Sequence, residues 1–160
     1  MKRGKNVFIV CHCLLNSNAK IYPLPDVIVV RKDETVIQSK DDLKNKVVGV
    51  QVGSGSEQLA DSMKDHFQEI KRYNYNPEAF TDLKFKRIDA VLVGYAYVVQ
   101  QMKTDPSYKI VGEPIAQAEI VVVLPKDAAA LTTQVNAALQ RIKDNGTYDQ
   151  VYNSWLKVEK

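Results

Sequence analysis

The sequence contains few of the residues from which metal and catalytic sites are usually built. Its two histidines are His12 and His66, and its two cysteines, Cys11 and Cys13, flank the first of them. A structural zinc site takes four ligands and an iron–sulfur cluster usually takes four thiolates, so the Cys11-His12-Cys13 run falls short of either. Neither histidine has a plausible serine and acid partner nearby in the sequence for a Ser-His-Asp triad. We therefore predict that the chain is not an enzyme and has no metal site, with Cys11-His12-Cys13 kept as a minor alternative.

Long apolar runs are also absent. No run approaches the roughly 20 apolar residues of a membrane-spanning helix. The apolar stretch at residues 7–10, which follows a basic start, is shorter than the roughly 7 to 15 apolar residues in the core of a secretory signal. The sequence therefore predicts neither a membrane span nor an export signal.

Charge of one sign is concentrated at the start of the chain. Residues 1–20 hold four basic residues and no acidic residue, while the whole chain has a formal net charge of +3, so the remainder is nearly neutral. A nucleic-acid-binding protein would carry a basic patch on its folded body. We therefore expect no nucleic-acid partner.

Motifs that bind nucleotides are incomplete. Gly53-Ser54-Gly55 could open a dinucleotide-binding fingerprint, but Gln58 stands where the third glycine belongs, and 73–75 lacks the acid that would bind the ribose. A phosphate-binding P-loop needs Gly-Lys-Ser/Thr, and this triplet does not occur in the sequence. The sequence therefore predicts no cofactor.

Strand and helix patterns alternate along most of the chain. Short β-branched or apolar runs alternate with segments in which apolar residues recur at helical spacing, which predicts a mostly parallel α/β sheet covered by helices. The predicted strands are 27–30, 47–51, 70–73, 88–93, 110–111 and 119–124, and the predicted helices are 56–67, one starting at Asn76, 97–102, one ending at Asn145-Gly146, and one through Trp155.

The segment VVGVQVGSGSE at residues 47–57 is the most informative part of the chain. A strand pattern runs into Gly53-Ser54-Gly55, and a helical pattern begins at Ser56. A helix N-terminus presents unpaired N–H groups and the positive end of the helix dipole, which suits a carboxylate. Alternatively, Ser54 and Glu57 form a capping box that simply closes the helix. Residues 93–97 form the second strand end at which a ligand could bind.

Three blocks of the sequence occur in an order and spacing typical of one family. They are SKDDLKNKVVGVQVGSGSE at 39–57, RIDAVLVG at 87–94 and, after VGEPI at 111–115, the segment EIVVVLPKDAAALTTQVNAALQRIKDNGTYDQVYNSWL at 119–156. Over about residues 27–156 the chain resembles the amino-acid-binding proteins of ABC importers. These are extracellular solute-binding proteins of the type II periplasmic-binding-protein fold.

The resemblance implies a two-lobed protein that closes on a small ligand between its lobes. It divides the chain into an atypical segment at 1–26 and a solute-binding region at 27–160. Within that region it implies a second lobe at about 40–113, hinge strands at about 27–33 and 119–125, and C-terminal helices at 128–158. Most of the first lobe is expected to be absent. The resemblance also implies an ABC permease as partner and an extracytoplasmic location, while a cytoplasmic location stays open because no signal is predicted.

The resemblance also implies which residues contact the ligand. They lie at the two strand ends and are Gln51, Gly53, Ser54, Gly55, Ser56, Gly94 and Tyr95. Two departures affect the ligand. The arginine that binds the α-carboxylate in the family lies in the missing section, and Arg31 does not replace it. Gly94 stands where many members carry the acid that binds the α-ammonium, so we expect either a ligand without that group or a role for Tyr95 or Glu119.

An incomplete first lobe would leave apolar surface on the C-terminal helices, around Val135, Leu139, Tyr152 and Trp155. A homodimer could cover this surface, or the strand at 7–10 could fill a vacant position in the sheet.

Two alternative functions stay open. One is a sensory or regulatory domain of the same fold. The other is a metal or sulfur-transfer protein, because VFIVCHCLLNSNAK at 7–20 weakly resembles the start of thiouracil-desulfurase-like proteins.

Overall fold

The computed structural model describes residues 8–11, 19–125 and 127–157. The chain divides into two compact units, one formed by residues 1–24 and 118–160 and the other by residues 25–117. We call them the terminal unit and the central unit. Two long strands, β2 (Ala19–Arg31) and β6 (Tyr108–Val123), contribute residues to both. The lobe and hinge bounds implied by the family resemblance stay a prediction.

The central unit is an α/β structure with a mixed sheet. Its further strands are β3 (Val47–Gln51), β4 (Glu69–Tyr73) and β5 (Ala90–Gly94), and its helices are α1 (Gly55–Ser62), α2 (Asn76–Lys84) and α3 (Tyr95–Thr104). Strand β3 pairs in parallel with β4 and β5, whereas β2 pairs with β5 in antiparallel orientation. Parallel strands that helices cover on both faces have nearly continuous apolar sequences, and β3 and β5 have such sequences.

The core of the central unit lies on both faces of this sheet. Successive strand residues point to opposite faces, so the buried run at 27–30 in β2 supplies both sides. One cluster includes Ile28, Val30, Val48, Val50, Ala60 and Leu92. The other includes Val27, Val29, Phe80, Leu83, Val91 and Val93. The same short sequence therefore anchors two hydrophobic layers.

The start of the β3–β5 pair is fixed by Asp89. Its backbone N–H donates to Val47 O, and its carboxylate accepts a hydrogen bond from Val47 N, each at 2.8 Å. These bonds set a register in which Val48 pairs with Ala90 and Gly49 with Val91. Because the two strands are parallel, their carboxyl ends lie at the same edge of the sheet.

Several observed elements differ in their bounds from the predicted ones. The helix predicted at 56–67 begins and ends earlier, at Gly55–Ser62, and a 3-10 turn at Lys64–His66 follows it. The two strands predicted at 110–111 and 119–124 belong to one strand, β6. Gly112 permits this continuity, because it has a φ of +67° and a Cβ there would lie 3.1 Å from Gln38 O.

The terminal unit consists of strands and two C-terminal helices. Strand β1 (Phe8–Cys11) pairs in antiparallel orientation with β6, with Phe8 opposite Val123 and Cys11 opposite Ile120. The strand predicted at 7–10 thus has a position in the sheet. Helices α4 (Ala129–Asp144) and α5 (Thr147–Leu156) meet at Gly146, whose φ is +76°.

Tyrosines make the specific contacts of α5. The Tyr148 hydroxyl donates to Ile21 O at 3.1 Å, and the Tyr148 ring stacks on Tyr152. Tyr152 also makes an edge contact with Tyr22. Neither α4 nor α5 contains a buried residue. Within the described residues, no helix is long and apolar enough to cross a membrane.

The apolar surface predicted on these helices is partly covered. Val135, Leu139 and Tyr152 are half-buried, whereas Trp155 is 63% exposed. Val151 of the same helix is also exposed. Whether a second copy covers them stays a prediction.

Replacement of Phe80 by alanine is expected to lower the free energy of unfolding by about 3–5 kcal/mol, because it leaves a cavity in the core. Phe80 is 1% exposed, and its ring packs against Tyr108 at 5.0 Å and Tyr97 at 5.5 Å between ring centroids. The matched control is Phe85→Ala, since Phe85 is 65% exposed, and its cost is expected to stay below about 1 kcal/mol. Urea denaturation measures both, and equal losses would contradict this core assignment.

Candidate functional site

The candidate site lies where β3 and β5 end in the central unit. Gln51 is the last residue of β3 and is half-buried, and α1 begins at Gly55. Gly94 is the last residue of β5 and precedes α3, which begins with the half-buried Tyr95. All seven residues predicted to contact a ligand therefore belong to two strand ends that reach the same edge of one sheet.

The turn between β3 and α1 is held by its own side chains. The Ser54 hydroxyl donates to Gln51 O at 2.7 Å and accepts a hydrogen bond from Glu57 N at 3.1 Å. The Glu57 carboxylate accepts from Gly53 N at 2.7 Å, and Gly53 has the positive φ of +72° that favours glycine. Ser54 caps α1 as predicted, but the reciprocal half of the predicted capping box is not formed, because Glu57 accepts from Gly53 N while Ser54 N donates to Gln51 O.

Two backbone N–H groups at the α1 N-terminus take no part in this capping. Among the described residues, the N–H groups of Gly55 and Ser56 have no hydrogen-bond acceptor. The first N–H groups of a helix have no partner within it, and they carry the positive end of the helix dipole. A negatively charged oxygen is the acceptor that suits two such donors.

A carboxylate that the sequence analysis did not single out lies beside these donors. Asp26, on β2, faces Gly94 across the antiparallel β2–β5 pair. Its Oδ1 accepts a hydrogen bond from the Ser56 hydroxyl at 2.6 Å, and Ser56 is buried. Its Oδ2 lies 3.9 Å from the position that a Cβ on Gly55 would occupy. Asp26 thus connects both predicted strand ends.

Burial dominates the electrostatics of Asp26. Loss of water around the carboxylate raises the pKa of Asp26 above its ordinary value, and the hydrogen bond from Ser56 partly opposes this shift. No lysine or arginine within the described ranges forms an ion pair with it. Counting only the described residues, the site therefore contains two backbone donors and one carboxylate that is not paired with a cation.

Arg31 lies away from these strand ends and has a structural role. Its guanidinium donates to Leu83 O and Ile88 O, each at 3.2 Å, and pairs with Glu34 at 3.3 Å. These contacts join the last residue of β2 to the end of α2 and to the segment that follows it. The expectation that Arg31 does not bind the ligand is consistent with this placement.

Some side chains named in the sequence analysis lie outside the described residues, so their predicted roles have no structural counterpart. His12 and Cys13 are not among the described residues, and neither are the side chains of Cys11 and Glu119. Within the residues that are described, no group of three or more His, Cys, Asp or Glu side chains could hold a metal ion. The Cys11-His12-Cys13 hypothesis therefore stays untested.

Comparison with known proteins identifies the family. Residues 16–158 match the family described as bacterial extracellular solute-binding proteins, family 3. The chain belongs to this family.

It is 32% identical over 140 residues to the probable amino-acid-binding protein YxeM of Bacillus subtilis, covering 82% of this chain and 53% of YxeM. It is 30% identical over 135 residues to the L-cystine-binding protein TcyJ of Escherichia coli K12, covering 82% and 50%. The chain spans about half the length of these curated relatives.

Solved structures have the same fold. An ancestral arginine-binding protein bound to arginine is 34% identical, with a TM-score of 0.71, and the match covers 89% of this chain and 64% of that chain. An ancestral cationic amino acid solute-binding protein is 29% identical, with a TM-score of 0.77, covering 89% and 62%. These findings confirm the predicted family and the type II periplasmic-binding-protein fold. The ligand contacts of individual residues stay predictions.

Replacement of Asp26 by asparagine is expected to stabilise the protein without ligand at neutral pH. A carboxyl with a raised folded-state pKa adds stability while it is protonated and loses this contribution as pH rises through the folded pKa. The difference between the variant and the original protein should therefore be small near pH 3 and grow toward pH 7. Urea denaturation across this range measures it.

The matched control for this comparison is Asp65→Asn, since Asp65 is exposed in the same unit. A stability difference for Asp26→Asn that does not change with pH would show that burial of the Asp26 charge has no net cost.

Proposed function

We propose that this chain binds an amino acid at the carboxyl ends of β3 and β5, as a solute-binding module of an amino-acid ABC transport system. The observation that carries the proposal is membership of a solute-binding family over residues 16–158. Curated relatives are named for amino-acid, cystine and arginine binding, which makes a transport role the preferred one over a sensory domain.

The geometry of the central unit supports this proposal. The N–H groups of Gly55 and Ser56 suit the carboxylate of an amino acid, because a helix N-terminus favours a negative group. Gln51, at the end of β3, provides an amide that can both donate and accept. These groups bind and orient a ligand, and the proposed activity is binding and release without a chemical step.

The proposed ligand is an L-amino acid, and the proposed partner is an ABC permease in an extracytoplasmic location. The names of similar proteins support this class. One solved relative is described as bound to arginine, a second as bound to glutamine, and a curated relative as an L-cystine-binding protein.

Isothermal titration calorimetry with L-arginine, L-glutamine and L-cystine tests this function. We expect saturable binding to at least one of them, and Gln51→Ala should weaken it about tenfold or more, because a polar ligand group loses its partner. The matched control is Gln68→Ala, since Gln68 is exposed at the opposite, amino end of β4. Absence of binding by well-folded protein, or equal loss in both variants, would contradict the proposed site.

Self-association through α4 and α5 is a separate proposal. Val151 and Trp155 are 56% and 63% exposed, and no residue of either helix is buried. Contiguous exposed apolar surface is typical of association sites.

Light scattering coupled to size-exclusion chromatography should give a mass of about twice the 18.0 kDa of the chain. Replacement of both Val151 and Trp155 by serine should return it to a monomer, because the apolar contact is removed. A monomer at every concentration of the original protein would refute the association.

A further inference from the structure

We propose that Asp26 binds the ammonium group of the ligand, in place of the acid that is absent at position 94. The inference rests on the proposed function and assigns a specificity-determining residue within it. It follows from the position of Asp26 opposite Gly94, the open space at Gly94 and the absence of a described cation beside the carboxylate.

The first argument is the position of Asp26. In the antiparallel β2–β5 pair, Asp26 lies directly opposite Gly94. Residues opposite each other in such a pair have Cβ atoms about 4.5–5.5 Å apart. A carboxylate on Asp26 can therefore reach the same volume as a carboxylate on residue 94, although the two residues belong to different strands.

The second argument is the space available at Gly94. A Cβ built on Gly94 meets no atom within 4 Å, so the strand end is open there. The φ of Gly94 is −61°, which any residue can adopt, so backbone conformation does not require glycine at this position. The glycine instead leaves open space on the strand opposite Asp26, which a small group of the ligand can occupy.

The third argument is charge. The Oδ1 of Asp26 accepts a hydrogen bond from Ser56, and no described residue donates to Oδ2. An ionised carboxylate can accept about four hydrogen bonds, and a partly buried charge without a counter-charge lowers stability. An ammonium group would supply both the missing donors and the missing positive charge.

The fourth argument is the arrangement of the two polar features. The backbone donors of Gly55 and Ser56 suit a carboxylate, while the Asp26 carboxylate suits a cation. Both belong to one site, because Ser56 donates its hydroxyl to Asp26 and Gly55 lies beside Oδ2. This pairing matches the two charges of an amino acid. It also removes the reason for expecting a ligand without an α-amino group.

A competing interpretation is that Asp26 only supports the start of α1 through Ser56. In that case Asp26→Asn would affect ligands with and without an α-amino group equally. The experiment therefore compares L-glutamine and L-arginine with their desamino analogues, glutaramate and 5-guanidinopentanoate. Each pair has the same carboxylate and the same side chain and differs in the ammonium group alone.

Calorimetric titration of the original chain and of Asp26→Asn with these four probes tests the assignment. We expect Asp26→Asn to weaken binding of the amino acid that the original chain prefers by about 30-fold or more, because the ammonium loses a charged partner. Binding of the matching desamino analogue should be unchanged or tighter. Equal affinity of both proteins for the amino acid would overturn the role of Asp26 while leaving the proposed function intact.

A second experiment moves the acid from position 26 to position 94 and asks whether the preference for the amino acid returns. Asp26→Gly should lose the preference for the amino acid, and Asp26→Gly with Gly94→Asp should recover it, because Gly94 has room for a side chain and an aspartate is favoured at the start of a helix. Failure of the double variant to recover any preference, with its fold retained, would count against a shared ammonium position. If the original chain binds none of the four probes and no L-cystine, both the proposed function and this inference are wrong.

Discussion

The register between β3 and β5 is the constraint on which the central unit depends. Asp89 exchanges two hydrogen bonds with Val47 at the start of this pair, and buried apolar residues fill both faces of the sheet along it. A shift of one residue would exchange the two faces and expose the core, so the register is strongly determined. The same register brings the ends of the two strands to one edge, where the helices α1 and α3 begin.

The site combines features that stabilise the fold with others that have a cost. Ser54 and Glu57 satisfy N–H groups around the α1 N-terminus, as a stable helix start requires. Asp26 lowers the stability of the fold, because its carboxylate is partly buried and has, among the described residues, one hydrogen bond and no cation. Functional sites are where such locally unfavourable arrangements are expected. The absence of an acid at Gly94 is therefore best understood together with the presence of one opposite it.

Local patterns in the sequence predicted most of the elements of the central unit. Strand β3 has the predicted bounds, and α2 begins at Asn76, because burial, proline placement and early acids act over a few neighbouring residues. Asp26 could not be found this way. Its partner Gly94 is 68 positions away, and a single sequence does not specify which strands pair or in what register. Strand β6 was predicted as two pieces because Gly112 and Pro114 are usual signs of a strand end.

The helices of the terminal unit contain no buried residue, whereas those of the central unit each contain two or more. Hydrogen exchange depends on this difference, since segments with few buried contacts open without unfolding the rest of the protein. We therefore expect the amide protons of α4 and α5 to exchange through local opening, at a lower free energy than those of β3 and β5. This gives the chain two expected levels of cooperativity, with its C-terminal helices at the lower one.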